Sequence, residues 1–290
     1  MKTKFGRGRA RWAWCGLLAV TVTFCFPAAA SSSSTYKLIA HRGGVVEDKF
    51  PDNSAAALQA AVERGYWGLE VDIRETRDGV LVMQHDPDLR LNYDDPREVK
   101  DVTWEEMSRL RSKVANQPPW RFEDVVKAAR AAGLWLMLDS KNLHSPDFAS
   151  KVEAVLKSHG MLERCYVIGA SDAMEHFTGK APVGRKYRSL KPHLDREPAA
   201  KEKYFLFDEG TTLTPEMVKW AQSLGVKVVP SINAYHYYDP KTMTGKTRAE
   251  LAELILPRAR QHIEALKALG VREFQIDSEF DGWFEEVKQP

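Results

Sequence analysis

Between Ile39 and Pro87 the chain carries two histidines and two acids at spacings that suit a single reaction centre. The stretch reads Ile39-Ala40-His41-Arg42-Gly43-Gly44, then Pro51-Asp52-Asn53-Ser54, then Gly68-Leu69-Glu70-Val71-Asp72, and finally Gln84-His85-Asp86-Pro87. Glu70 and Asp72 stand two residues apart in an apolar run, and a strand repeats every two residues, so both carboxylates point to one side. Two convergent carboxylates repel each other and resist burial unless they share a cation. The bland alternative is a pair of solvated acids on an exposed strand face. His41 closes one apolar run and His85 another, and imidazoles titrate near neutral pH. One can take a proton from an attacking hydroxyl while the other gives a proton to a leaving oxygen. Acids poised to hold a cation beside two imidazoles are the layout of metal-assisted phosphoryl chemistry.

Together these motifs resemble the glycerophosphodiester phosphodiesterase family, which combines a His-Arg-Gly start, a Pro-Glu-Asn-Thr helix start, a Glu-x-Asp strand and a His-Asp pair. Their order and spacing match over about fifty residues, and the Asp78-Gly79 turn ahead of His85 also fits. The similarity is closest from Tyr36 to Lys141 and then thins to the level of fold. Asp52 and Ser54 stand where the family usually has glutamate and threonine.

The resemblance implies His41 and His85 as the acid–base pair, with the assignment of acid and base left open. It implies Glu70 and Asp72 as ligands of one divalent cation. Leu136-Met137-Leu138-Asp139-Ser140-Lys141 is similar to the family's Glu-x-Lys strand, which makes Asp139 the third ligand, one methylene shorter than the family's glutamate. A helix-capping aspartate is the alternative for Asp139. Carboxylate oxygens without cysteine favour Mg²⁺ or Ca²⁺ over zinc. Arg42 can grip two phosphate oxygens at once and Lys141 can act as a point charge beside them; ordinary pairing with the acids is the alternative for both. Asn53 is expected to orient a catalytic group, and Asp52 to support it at shorter reach than the family's glutamate. His144, His159, His176, His193, His236 and His262 lack such a setting and read as ordinary histidines.

Positioning these residues requires strands that end together. Short apolar, branched or aromatic runs alternate with amphipathic stretches from Tyr36 onward. Strands are expected at Tyr36–Ala40, Gly68–Ile73, Trp135–Asp139, Cys165–Ile168, Arg185–Tyr187, Tyr204–Phe207, Val226–Pro230 and Glu273–Asp277. Helices are expected at Ser54–Arg64, Phe122–Ala132, Phe148–Ser158, Pro215–Leu224 and Arg248–Leu269. Thr103-Trp104-Glu105-Glu106 has the spacing of a capping box, and Thr214-Pro215 that of an N-cap followed by a first-turn proline. Gly133, Gly160, Gly225 and Gly270 sit where helices should terminate. The repeat predicts an α/β fold, a (β/α)8 TIM barrel, and the family resemblance implies the same. His41, Asp72, Asp139 and Asp208 then fall at C-terminal strand ends, where barrel active sites form. Val80–Gln84 reads as a small hairpin arm after the second strand that returns His85 to the barrel mouth.

The ends and the composition bound the function. Lys2, Lys4, Arg7, Arg9 and Arg11 precede an apolar run from Trp12 to Phe26 and the small residues Ala28-Ala29-Ala30. That is the pattern of a signal peptide over residues 1–30, with cleavage near Ala30 and export to the periplasm or medium; an uncleaved anchor is the alternative, although the run is short for a span. Residues 31–290 then form one domain. The whole chain has 42 Lys+Arg and 40 Asp+Glu, and removing the five leader cations leaves 37 against 40. A near-neutral, slightly acidic protein offers no broad nucleic-acid surface. Of three cysteines only Cys165 lies beyond the leader, which excludes an internal disulfide.

Hydrolysis of glycerophosphodiesters to glycerol phosphate and an alcohol is the expected activity. A phospholipase D acting on lysolipids or sphingolipids, with transient membrane-surface contact, is the alternative within the same fold. The sphingomyelinases D of that group carry a disulfide-bearing loop that this chain cannot form. A non-catalytic binding barrel is the alternative from a different class. After the seventh strand the chain lacks the family's tryptophan-centred pattern, and Asp277-Ser278-Glu279-Phe280-Asp281-Gly282-Trp283 is an unusual ending to the eighth, whose aromatics cap the barrel rim in the alternative reading. Asn233, Tyr235, Phe280 and Trp283 are therefore expected to line the pocket for the alcohol.

Overall fold

The structure, a computed structural model, describes residues 35–47, 49–141, 145–238 and 245–284. The expected signal peptide and His144 lie outside the described residues. Eight parallel strands close on themselves: β1 (Lys37–Ala40), β2 (Gly68–Glu75), β6 (Trp135–Ser140), β7 (Cys165–Gly169), β8 (Val183–Arg185), β9 (Tyr204–Glu209), β10 (Val228–Ile232) and β11 (Glu273–Ile276). The last strand returns to the first, with Ala40 paired to Ile276, while β1 also pairs with β2. The intervening helices α1 (Ala55–Glu63), α4 (Phe122–Ala131), α5 (Phe148–Ser158), α6 (Ser171–Phe177), α7 (Tyr187–Arg196), α8 (Pro215–Ser223) and α9 (Arg248–Ala268) complete a (β/α)8 barrel.

Alternation along each strand sorts the core into two shells. In β2, Leu69, Val71 and Ile73 join the large apolar layer between strands and helices, and in β6 Leu136 and Leu138 do the same. The barrel interior is filled by a smaller set: Ile39, Met137, Tyr166, Ile168, Phe205 and Val229. That plug fills the lower barrel, so the polar inward positions are forced to the C-terminal mouth.

The expected helix boundaries agree with the structure to within one residue at each end, because the local signals operate as read. Thr103 and Glu106 form the reciprocal capping box of α3 (Trp104–Ser108), and Thr214 caps α8 ahead of Pro215. Gly133, Gly160, Gly225 and Gly270 all have positive φ. Two expectations need correction. The fifth strand is Val183–Arg185, and Tyr187 begins α7 instead of ending a strand. A strand centred on Gly184 was hidden from a hydrophobicity reading; a Cβ there would lie 2.7 Å from both Ile168 and Phe205, whose bulk takes its place. The insertion after β2 is also larger than a hairpin. The arm β3 (Leu81–Met83) pairs antiparallel with β2 as expected, but β4 (Asp88–Leu89), α2 (Arg90–Tyr93), β5 (Asp95–Glu98) and α3 follow it. Val82, Leu89, Val99, Val102 and Met107 give this flap its own apolar cluster.

Candidate active site

The turn after β1 sets the first residues of the site. Arg42 adopts a left-handed conformation (φ 55°), which costs an L-residue about 1–2 kcal/mol. The reason is visible in its hydrogen bonds: Arg42 N–H donates to Glu70 Oε2 at 2.7 Å, and its carbonyl accepts from Asn53 N at 2.7 Å. Gly44 then passes so close to α1 that a Cβ would lie 2.1 Å from the Ala57 carbonyl oxygen, so only glycine lets the chain dock there. Asn53 grips Asp72 twice. Its Nδ2 donates to Asp72 Oδ2 at 2.8 Å, and its Oδ1 accepts from Asp72 N at 3.1 Å. Asp52 accepts from Arg42 Nη1 at 3.2 Å and from Asn92 Nδ2 of the flap at 2.6 Å. Arg42 thus holds Asp52, which is not one of the three acids expected to bind the cation.

Glu70, Asp72 and Asp139 meet inside the barrel mouth, with ligand oxygens within 4.8 Å of one another. Strand register brings Asp72 and Asp139 side by side. Gly169 makes room for Asp139: a Cβ at that position would lie 2.3 Å from Asp139 Oδ1. Glu70 and Asp72 are fully buried. Lys141 Nζ lies 2.5 Å from Asp139 Oδ2 and 3.2 Å from Asp72 Oδ1. Among the described residues, Glu70 Oε1, Asp72 Oδ1 and Asp139 Oδ1 accept no hydrogen bond.

The electrostatics follow from that geometry. Burial, and then repulsion from Asp72 and Asp139, pushes the Glu70 carboxyl well above its ordinary value. Asp139 is raised by burial despite Lys141. Asp72 is also penalised by burial, but Lys141, His85 and Asn53 outweigh the penalty and lower it. Burial opposes the charge on Lys141, and the three carboxylates more than restore it. Three carboxylates facing one ammonium leave two uncompensated negative charges if all ionise. Orphaned hard oxygens with that charge deficit fit a divalent cation.

Each histidine is held through its Nδ1. His41 Nδ1 lies 2.6 Å from Asp277 Oδ1, and its Nε2 faces Glu70 Oε2 at 3.9 Å. Asp277 Oδ2 accepts from the Ala234 amide at 2.7 Å, so the carboxylate is fixed at both oxygens. His85 Nδ1 pairs with Asp86 at 2.8 Å, and the His85 carbonyl accepts from Arg74 Nη2 at 2.6 Å. Arg74 also reaches the Lys141 carbonyl at 3.3 Å, which ties the two loops together. Among the described residues both imidazoles are thus tethered through Nδ1 and not through Nε2.

A cavity of about 160 Å³ joins these groups, and His41, His85, Asp139, Lys141, Asn233 and Tyr235 line it. Two expected pocket residues are elsewhere. Phe280 is fully buried and stacks on Trp283 at 5.5 Å between ring centroids. The segment continues down the outside of the barrel to Phe284, whose ring packs edge-on against Tyr36, ahead of β1 and at the far end from the mouth. Aromatic character alone could not distinguish a rim residue from one that seals the outer layer. Conversely, Asp277, Arg74, Glu209 and His236 belong to the site region and were not singled out by the sequence. His236 lines the cavity, where burial lowers its basicity.

An inward acid cluster beside two tethered imidazoles, at the mouth of a (β/α)8 barrel, defines the class: a barrel hydrolase built for phosphate esters. Residues 41–157 match the Glycerophosphoryl diester phosphodiesterase family. The chain is 26% identical over 214 residues to a glycerophosphodiester phosphodiesterase of Caldanaerobacter subterraneus subsp. tengcongensis, covering 67% of this chain and 84% of that one. Human glycerophosphodiester phosphodiesterase 1 is 38% identical over 72 residues, which span 25% of this chain and only 21% of the human protein. The fold superposes on an Oleispira antarctica phosphodiesterase solved with the product sn-glycerol-3-phosphate, with a TM-score of 0.66 and 16% identity over 86% of this chain and 97% of that one. A Galdieria sulphuraria structure described as a glycerophosphodiester phosphodiesterase gives 0.64 and 18%, covering 87% of this chain and 98% of that one. At such identities the likeness to solved structures is one of fold. The resemblance to the glycerophosphoryl diester phosphodiesterase family, a family of phosphoric diester hydrolases, is carried by residues 41–157 and by these relatives.

Proposed function

We propose that this protein hydrolyses glycerophosphodiesters to glycerol phosphate and an alcohol, with His41 and His85 exchanging protons with the substrate. The observation that carries this reading is the convergence of three carboxylates, each with an oxygen that accepts no hydrogen bond among the described residues, with two imidazoles whose Nδ1 atoms are both tied to carboxylates. Asp277 and Asp86 orient the rings and support the positive charge an imidazole acquires on accepting a proton. Glu70, Asp72 and Asp139 would hold one divalent cation, Mg²⁺ or Ca²⁺, which supplies positive charge against the phosphate oxygens when bound. Lys141 adds a cation at the same wall, and the Arg42–Asp52 pair braces the loop that carries His41.

The cavity opens to solvent at the mouth, so a glycerol phosphate half can enter while the second alcohol extends outward. The leader pattern supports export as a further part of the proposal.

The test is turnover of glycerophosphocholine, glycerophosphoethanolamine and lysophosphatidylcholine by the protein, with excess chelator and with Mg²⁺ or Ca²⁺ restored. Activity on the two water-soluble diesters, lost on chelation and regained with either ion, is expected. Turnover confined to lysophosphatidylcholine would replace this reading with the phospholipase D alternative, and full activity in chelator would remove the cation.

A further inference from the structure

One wall of the cavity is chemically unlike the rest. The acid cluster occupies β2 and β6, with His41 emerging from β1 beside it. On the other side of β1, the strands β11 and β10 send Gln275, Ser231 and Asn233 into the same cavity. Register places Ser231 directly beside Gln275, and Asn233 follows Ser231 by two residues on the same inward face. All three are buried, at 3%, 5% and 1% exposure respectively. None of them carries a charge.

Their hydrogen bonds are incomplete. Asn233 Nδ2 donates to Ser231 Oγ at 3.0 Å and faces Gln275 Oε1 and the Tyr235 hydroxyl, each at 3.4 Å. Asn233 Oδ1 accepts nothing among the described residues, although it is fully buried. An unmade hydrogen bond at a buried carbonyl is costly unless a ligand completes it. Residues 231–275 lie outside the stretch that matches the family model.

We propose that Ser231, Asn233 and Gln275 form a subsite for the hydroxyl groups of a glycerol phosphate moiety. The inference rests on the phosphodiesterase reading above and adds which half of the substrate enters the cavity, and how. Neutral amides and a serine hydroxyl match neutral hydroxyls, which both donate and accept. His41 separates the neutral wall from the acid cluster. A substrate lying across the mouth therefore presents its phosphate to the imidazole while its hydroxyls reach Asn233 Oδ1.

The experiment compares sn-glycerol 3-phosphate with n-propyl phosphate, which has the same phosphate and chain length without the hydroxyls. Binding to the cation-loaded protein is read by calorimetry and by inhibition of glycerophosphocholine turnover. The native protein should bind glycerol 3-phosphate at least about tenfold tighter, since sites built to hydrogen-bond a hydroxyl reject analogues that lack it. Asn233→Leu, and separately Gln275→Met, should remove that preference while propyl phosphate binding stays within about threefold. The second substitution keeps volume and guards against loss of folding in the first. Equal binding of the two esters by native protein that does turn over glycerophosphocholine would overturn the subsite and leave the phosphodiesterase reading standing. The same holds for a preference that survives both substitutions. Native protein that cleaves no glycerophosphodiester would overturn the reading itself.

Discussion

Asp277→Asn is the most informative single change, because it alters one hydrogen-bond polarity and almost no volume. Asp277 Oδ2 accepts from Ala234 N at 2.7 Å, so the asparagine must keep its carbonyl oxygen there. Its NH₂ then faces His41 Nδ1, which the aspartate had met at 2.6 Å. A donor at that position stabilises the tautomer with the proton on Nε2, the atom that faces the cavity, and removes the charge that supports a protonated ring. The same exchange in serine protease triads costs about 10⁴ in kcat. General acid–base catalysis as a whole contributes about 10²–10⁴. A loss of kcat in that range is expected, which is ~2.7–5.5 kcal/mol at 1.36 kcal/mol per tenfold. Affinity for the divalent cation should change little, because Asp277 is not among the three clustered ligands. The assay is kcat against pH for native protein and variant, with cation affinity measured separately and ring tautomer read by ¹⁵N NMR. Turnover within threefold of native, or a loss fully recovered by more cation, would refute the positioning role.

Chelated protein should lose stability as pH rises above the ordinary carboxylate range. Glu70 is held above its ordinary 4.5 by burial and by its acidic neighbours, so the folded state keeps a proton that the unfolded chain releases. That contribution is complete below the ordinary carboxylate value and is lost as pH climbs through the raised one. Saturating Mg²⁺ or Ca²⁺ should abolish the fall in Tm and release protons on binding; calorimetry that finds a rising Tm in chelator would contradict it. Replacing His85 with alanine should lower kcat by at least about a hundredfold with little change in Tm, since the ring is partly exposed and, among the described residues, tied to Asp86 alone. Near-native kcat would remove it from the chemistry. Trp283→Ala should cost ~2 kcal/mol of stability, measured by denaturant, and leave relative kcat/KM for two head groups unchanged, because the ring stacks on Phe280 away from the mouth. Tyr235→Ala should do the reverse: its exposed ring lies 6.2 Å from His41, and lost contact with a choline group is worth about 0.5–2 kcal/mol.

The sequence was most legible where one local interaction determines the outcome. Glu70 and Asp72 shared a face because period two leaves no other arrangement in β2, and Thr103, Thr214 and the four helix-ending glycines acted within a turn of themselves. Legibility failed where burial is decided by distant partners. Gly184 makes a strand because Ile168 and Phe205 fill its space, and α6 and α7 pack onto a barrel whose local hydrophobic signal is weak there. Phe280 and Trp283 follow the same rule: both are aromatic residues after a strand end, yet the chain turns down the outer wall instead of across the mouth.

Asp277 is the instructive case, because the information was present and needed only the closure of the barrel. His41 and Asp277 are 236 residues apart. Each is the first residue beyond its strand, and a closed barrel makes the last strand the neighbour of the first. Register pairs Ala40 with Ile276, so the next residue on each strand must meet at the mouth. An open sheet would have left His41 Nδ1 without its carboxylate and Asp277 as a loose loop acid. Closure therefore does chemical work as well as structural work. It joins the family-matching segment, which carries the clustered acids and both histidines, to later strands that orient one histidine and furnish the neutral wall beside it. Variation in β10 and β11 can then alter which alcohol is accepted while leaving the acid cluster on β2 and β6 untouched.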